Sequence, residues 1–191
     1  MNTSLRAIVL LLPFVGCTSI EETLPDRTAT EQSLLSTAAQ RSLDQMTLKG
    51  ISDRTVFLET ENLEAFDAGY VIAGAHHILL KSGARVVSDA SDADMIAELR
   101  SGALSMDKRG TLIGFPETGL GLPTVFEIKL PQLALFSSNK LDSLAKLALT
   151  VRDRASGRFI GTTNVQMGRA YVYDYSVMGV PFRFSDLPEY E

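Results

Sequence analysis

The sequence predicts an α/β fold, α+β in its details. An N-terminal helix precedes a strand-helix-strand-strand unit, and an antiparallel C-terminal hairpin completes one mixed sheet. Three observations predict it. An apolar stripe at helical spacing follows a capping pattern at Thr28–Glu31. A second helical stripe, over residues 71–79, sits between β-branched runs and reads as a crossover. The run Ala145–Val151 alternates apolar and polar residues and ends in a turn sequence, Asp153–Gly157.

Taken in order, Thr28 and Glu31 fit a capping box. Leu35, Ala38, Ala39, Ser42, Leu43 and Met46 make one narrow face, and Lys49-Gly50 marks the expected end of this helix. Thr55–Thr60 is β-branched and apolar, hence strand. Asp67 or a neighbour caps the second helix, which buries Val71, Ile72, Ala75, Ile78 and Leu79 and closes at Gly83. Ala84–Val87 is the next strand, and a turn at 89–92 leads to a third strand that starts at Met95 and extends toward Met106. Phe126, Ile128 and Leu130 alternate with Glu127 and Lys129. The strand Ala145–Arg152 has one buried face, and Phe159–Met167 returns antiparallel. Residues from Tyr171 onward read as an extended aromatic tail.

The only cysteine, Cys17, follows a basic flank at Arg6 and an apolar run from Ala7 to Val15. This run is far shorter than the roughly 20 residues of a spanning helix. It has the form of a signal peptide, with Phe14, Val15 and Gly16 as signal-peptidase recognition and Cys17 as the lipidated residue. Lipidation would consume the thiol, and two or more acyl chains would hold the protein to a membrane. The residues before Cys17 resemble the lipobox of proteobacterial lipoproteins, and by that resemblance Thr18 stands where an Asp would signal inner-membrane retention. The expectation is therefore the outer membrane, periplasmic face.

The formal net charge is −5. Loss of a leader carrying Arg6 makes it one unit more negative, which argues against a nucleic-acid surface and against an electrostatic grip on anionic lipid. A 45% hydrophobic fraction describes a folded chain.

The segment Ala145-Lys146-Leu147-Ala148-Leu149-Thr150-Val151-Arg152-Asp153, with Ser156-Gly157-Arg158-Phe159-Ile160 after it, resembles a terminal hairpin of envelope α/β lipoproteins. Asp92–Gly102 resembles their "Ala-Asp, strand, Gly" step. The resemblance covers roughly residues 54–168 and is to curli-secretion-channel-like lipoproteins and to the N-terminal domain of the Tol-system propeller protein. The chain as a whole looks like an uncharacterised bacterial lipoprotein family. The resemblance implies the α/β core and an envelope setting; these families share fold more than chemistry.

Candidate chemistry is sparse. Glu59, Glu61, Glu64 and Asp67 cluster after the first strand, where open sheets place ligands, yet their spacing matches no EF-hand. Asp89, Asp92 and Asp94 read as turn and cap residues. His76 and His77 are adjacent, so they point about 100° apart on a helix and do not chelate one metal. No Gly-x-Ser-x-Gly elbow and no phosphate-loop Gly-Lys-Ser/Thr occur. No catalytic residue, metal ligand or cofactor is assigned.

Two surfaces stand out. The run from Gly110 to Pro123 is rich in Gly and Pro but carries Leu112, Ile113, Phe115, Leu120 and Leu122. It reads as a loop, 108–125, that either folds back on the sheet or meets a partner or bilayer. Pro116 and Pro123 interrupt the 9–11 alternating residues that a membrane strand would need. Tyr171, Tyr173 and Tyr175 share one face at strand spacing, as do Phe182 and Phe184, and suit an interface or an edge strand. Candidate contacts are thus Ile113, Phe115, Leu120, Leu122, Tyr171, Tyr173 and Tyr175.

The resulting organisation is a signal peptide (1–16), a lipidated cysteine and tether (17–27), one α/β domain (28–168) and an aromatic tail (169–191). The functional expectation is a non-catalytic envelope binding or scaffold lipoprotein with a membrane and an envelope protein as partners, no nucleic acid, and room for homo-oligomers. The alternatives are an oligomeric curli-type secretion channel and a metal-assisted enzyme using the acidic loop 59–67.

Overall fold

A capping box starts the first helix where the sequence expects it. In the computed structural model, which describes residues 27–63, 65, 67–115, 118–121, 127–130 and 133–188, the Glu31 N–H donates to Thr28 Oγ1 and the Thr28 N–H donates to the Glu31 carboxylate. These bonds satisfy two of the free donors of helix α1 (Ala29–Asp44). The stripe Leu34, Leu35, Ala38, Ala39, Ser42 and Leu43 is buried.

The chain continues through β1 (Thr55–Glu59), α2 (Ala68–Lys81), β2 (Arg85–Val87), a single 3-10 turn (Ala90–Asp92) and β3 (Met95–Phe115). It then runs through β4 (Thr118–Gly121), β5 (Glu127–Leu130), β6 (Leu133–Asp153), β7 (Phe159–Thr162), β8 (Gln166–Val177) and β9 (Val180–Ser185). The main sheet has the order β2-β1-β3-β6-β8-β9, with β7 beside one end of β6; β4 and β5 form a separate hairpin. Pairs β1–β2 and β1–β3 are parallel and the rest antiparallel. This is the expected mixed α/β sheet, with α2 as the crossover.

Both helices contribute to one core with the same face of the sheet. Val56 and Leu58 of β1, Ala97 and Leu99 of β3, Ala145, Leu147, Leu149 and Val151 of β6, and Ala170 and Val172 of β8 pack with Leu34, Ala38, Val71, Ala75 and Leu79. The closest approach is at Gly168. A Cβ there would lie 1.9 Å from the Ala38 carbonyl oxygen and 2.6 Å from the Ser42 nitrogen. Helix α1 therefore rests on bare β8 backbone. Side chains stitch the contact: Ser42 Oγ donates to Gln166 O, Gln45 Nε2 to Met167 O and Arg41 to Arg169 O. Ser143 Oγ, buried on β6, donates to Leu34 O at 2.8 Å.

Several expectations are corrected. Helix α1 ends at Asp44, not near Gly50. The Gln45 side chain turns back to Arg41 O and Met167 O, which frees the chain to drop Met46, Leu48 and Ile51 into the core. Asp67 precedes α2 but makes no side-chain cap; its carboxylate pairs with Arg27 at 2.6 Å. The third strand continues past Met106 to Phe115, because each step from Lys108 to Phe115 is paired with β6 over Leu133–Leu141. The span 108–125 is thus not a loop where it is described: 108–115 lies in β3 and 118–121 in β4.

The return after the 153–157 turn also differs, because it is two strands. After β7 the chain leaves the ladder at 163–165, and Thr163 bridges the gap: its N–H donates to Leu149 O and its Oγ1 accepts from Leu149 N–H. Strand β8 then pairs with β6 farther along. Residues 169–185 are not a tail but the last two strands of the sheet. Val177 opposes Val180 across Met178 (φ +49) and Gly179 (φ +83), the two left-handed residues of a type I′ hairpin turn.

Two stability predictions follow from this packing. Gly168→Ala should force α1 off β8 and destabilise the fold by ~1–3 kcal/mol in urea unfolding. Thr163→Val keeps the shape but strands the Leu149 N–H, and the same measurement should show a loss of ~1–3 kcal/mol.

Candidate functional site: an aromatic sheet face

Strand alternation sorts the distal half of the sheet into two unlike faces. On β8, Ala170 and Val172 point to the helices, so Tyr171, Tyr173, Tyr175 and Val177 point away from them. Register places Phe184 opposite Tyr173, Phe182 opposite Tyr175 and Phe136 opposite Val177. These seven side chains line one shallow groove of about 480 Å³ on the helix-free side. Ile113 of β3 pairs with Phe136 and extends the same surface; it is 57% exposed, with Phe182 at 49% and Phe184 at 58%. The other side of the same strands is more polar, with Ser137, Asn139, Asp174 and Ser176 beside Leu112 and Pro181.

The aromatic face is ordered by its own contacts. Tyr171 and Tyr173 stack with ring centres 4.7 Å apart. Tyr175 meets Phe184 edge-on at 5.9 Å and Phe136 at 6.4 Å. Lys140 Nζ lies 5.7 Å from the ring centres of both Tyr173 and Tyr175. Tyr173 Oη donates to Asp142 at 2.6 Å, a charge-assisted bond, and Arg109 reaches the other oxygen of Asp142 at 3.5 Å. The bond to Asp142 holds the Tyr173 phenol above its usual pKa, with burial and the negative charge of Asp142 adding to the effect.

The β8–β9 edge and the β2 edge are blunted, whereas beyond Glu98 the outer edge of β3 has no strand partner among the described residues. Beyond the reach of β9, the outward carbonyls of Met167 and Arg169 are taken by Gln45 and Arg41, and Asp186 accepts from the Tyr171 N–H. On β9, the even-numbered residues share the hydrogen-bonding side with β8, so Pro181 stands where an outward N–H would otherwise be offered. Opposite, β2 has only three residues.

Among the predicted contacts, Ile113, Tyr171, Tyr173 and Tyr175 come together on this face. By backbone, Phe115 ends β3 and Leu120 lies in β4. Leu122 and the Phe14–Cys17 segment lie outside the described residues. Sequence reasoning missed Phe136 and did not join Phe182 and Phe184 to the tyrosines. The signal was present: Val177-Met178-Gly179-Val180 sets a two-residue turn between runs of matching period.

The acidic residues after β1 disperse. Glu59 pairs with Arg152 at 3.6 Å, Asp67 with Arg27, and Asn62 donates to Glu98; Glu64 lies outside the described residues. Among the described residues, no three of His, Cys, Asp and Glu gather to hold a metal, and no buried side-chain polar atom lacks a partner. Asp89 and Asp153 are turn residues whose carboxylates are held low by bonds from Ser91 and Ser156. His77 is exposed beside Asp44 and Lys81 in a groove between the helices, and Asp44 there accepts from Gln40.

Two helices on one face of a mixed sheet, with a bare aromatic surface on the other, define an α/β domain that presents an open sheet face. The chain belongs to DUF6655, a family of unknown function, which matches residues 12–187. No curated protein matches it.

Tyr173 supplies a pH test. Its raised pKa favours the neutral phenol in the fold, so this stabilisation is complete below the unfolded phenol value of about 10 and is lost as pH rises through the folded value. Ultraviolet titration should show a phenol ionising late; Tyr173→Phe should remove that step, and Asp142→Asn should move it back toward the ordinary range.

Proposed function

We propose that this protein is a non-catalytic lipoprotein of the bacterial envelope, anchored through Cys17 to the periplasmic leaflet of the outer membrane, with the aromatic sheet face as its binding surface. The observation that carries the binding role is that face. It joins exposed Ile113, Val177, Phe182 and Phe184 to half-buried Phe136, Tyr173 and Tyr175, held in place by ring contacts, and contiguous apolar surface of this kind marks interaction sites. Its contacts leave no cleft with converging catalytic groups, which fits recognition rather than turnover. The anchor is supported by the leader and Cys17 in the sequence. Among the described residues, no helix is long and apolar enough to cross a membrane, so the lipid is the attachment this reading requires.

A second reading, an oligomeric secretion channel, is favoured by one observation. Strands β3 and β6 run 21 residues each, about twice what a tilted membrane strand needs. Detergent-extracted protein would then form rings that conduct ions across a planar bilayer; a monomer that conducts nothing removes that reading.

The anchor has a direct test. Cys17→Ala should abolish palmitate labelling and leave an unprocessed precursor, while wild-type protein should co-sediment with outer-membrane markers in a density gradient. Labelling that survives the substitution, or wild-type protein recovered with the soluble fraction, would overturn the proposal.

A further inference from the structure

The bare face lies on a ribbon that outruns the helices. The first turn of α1 lies near Lys108 of β3, close enough for the charges of Glu31 and Lys108 to interact. From there β3 continues to Phe115, paired with β6 throughout, so the ribbon projects about 24 Å at ~3.4 Å per residue. The same end of α1 is where the chain arrives from Cys17. Cys17 precedes Arg27 by ten positions, a span of at most about 35 Å. That is long enough to pass the thickness of one sheet, so a lipid on Cys17 and the ribbon can meet one surface.

We propose that the aromatic face of this ribbon, centred on Ile113, Phe136, Phe182 and Phe184, lies in the boundary layer of the same leaflet that holds the Cys17 lipid, an inference that rests on the anchor reading above. A lipid surface fits because the strands are amphipathic across their thickness. One face offers Phe, Tyr, Ile and Val, and the other carries polar groups such as the Asp174–Arg183 pair. Tyrosine and phenylalanine at a sheet surface match the headgroup–acyl boundary, where an apolar ring and a polar tip are both satisfied. Of the charged groups nearest the rings, Arg109 pairs with Asp142 and Lys140 lies over two tyrosine rings, while exposed Asp107 stands opposite Asp142 at the end of the face away from Phe136 and Phe182. Docking of the Ile113–Phe136–Phe182–Phe184 end runs on apolar area and needs no anionic lipid. Tethering strengthens it, because a nearby anchor makes a weak surface contact intramolecular. Pro181 on the outer edge of β9 disfavours strand addition by a protein partner at that edge, so such a partner would add at β3 beyond Glu98, away from the rings of β8 and β9.

The chain contains no tryptophan, so single reporters can be introduced into the full-length lipidated protein. Phe182→Trp and Val180→Trp place an indole on the aromatic face; Tyr70→Trp places one on the helix side. Each is reconstituted in phosphatidylcholine vesicles with ordinary or brominated acyl chains. The two face reporters should shift to the blue and lose most of their emission in brominated lipid, at low and high salt alike, while the Tyr70→Trp reporter is unchanged. Equal emission in both lipids overturns the inference. So does shielding from aqueous iodide without quenching by brominated lipid, whether it comes with a doubled mass, which assigns the face to a second copy, or with a single crosslinked protein. Mass spectrometry of the N-terminal peptide from the same sample separates the two claims. A diacylglyceryl-Cys17 peptide with unquenched reporters sinks the docking alone, whereas a Cys17 peptide without lipid overturns the anchor and this inference with it.

Discussion

The architecture depends on one close contact, the seating of α1 on the backbone of β8 at Gly168. A side chain at that position would enter the helix backbone at Ala38 and Ser42. With only hydrogen there, the helix comes near enough for Ser42, Gln45 and Arg41 to bond the strand carbonyls, and for Ser143 to reach Leu34 O. The contact therefore does two jobs. It closes the core formed by Leu34, Ala38, Leu147 and Val172, and it seals a strand edge that would otherwise offer free acceptors. Helix α2 then packs against α1, where Gly74 admits the Leu43 side chain at the crossing.

Placing both helices on one side of the sheet has a consequence for the other side. The proximal strands β1 and β2 are short and parallel, as their crossover connection requires, whereas the distal strands are long and antiparallel and extend beyond α1. Alternation along long strands gives each face its own chemistry. Toward the helices the distal part mixes polar groups with Leu112 and Pro181; away from them it is aromatic. The β8–β9 edge is capped by side chains and Pro181 and the far edge is a short strand, which leaves the aromatic face and the β3 edge beyond Glu98 open among the described residues. On the proposed reading, membrane anchoring and surface docking use the same end of the molecule, with a lipid leaflet as the counterpart of the ribbon.

Legibility differed from element to element. The capping box at Thr28–Glu31 and the stripe through Leu35, Ala39 and Leu43 are local signals, and α1 begins where they say. The buried stripe of α2 was readable for the same reason, although Asp67 chose Arg27 over a capping role. The alternation in Ala145–Val151 was readable because one face of that strand is buried. Strand length was not. The Gly110–Phe115 stretch carries turn-forming glycines, and only its partner across the ladder, Leu133–Asn139, holds it extended. The tyrosine set was visible at period two, but Phe136, some 35 positions upstream of Tyr171, joins it only through the β6–β8 register.

By itself the sequence determined what short-range chemistry decides: where the helices start, which of their faces are apolar, and the α/β order of elements. The tertiary structure alone decided how far β3 and β6 run, that the last residues are two strands of the sheet, and that three aromatic-bearing strands meet on one face. The physical reason is that a helix satisfies its hydrogen bonds within itself, whereas a strand is completed by a partner distant in sequence. Its extent and its surface exist only once that partner is in register.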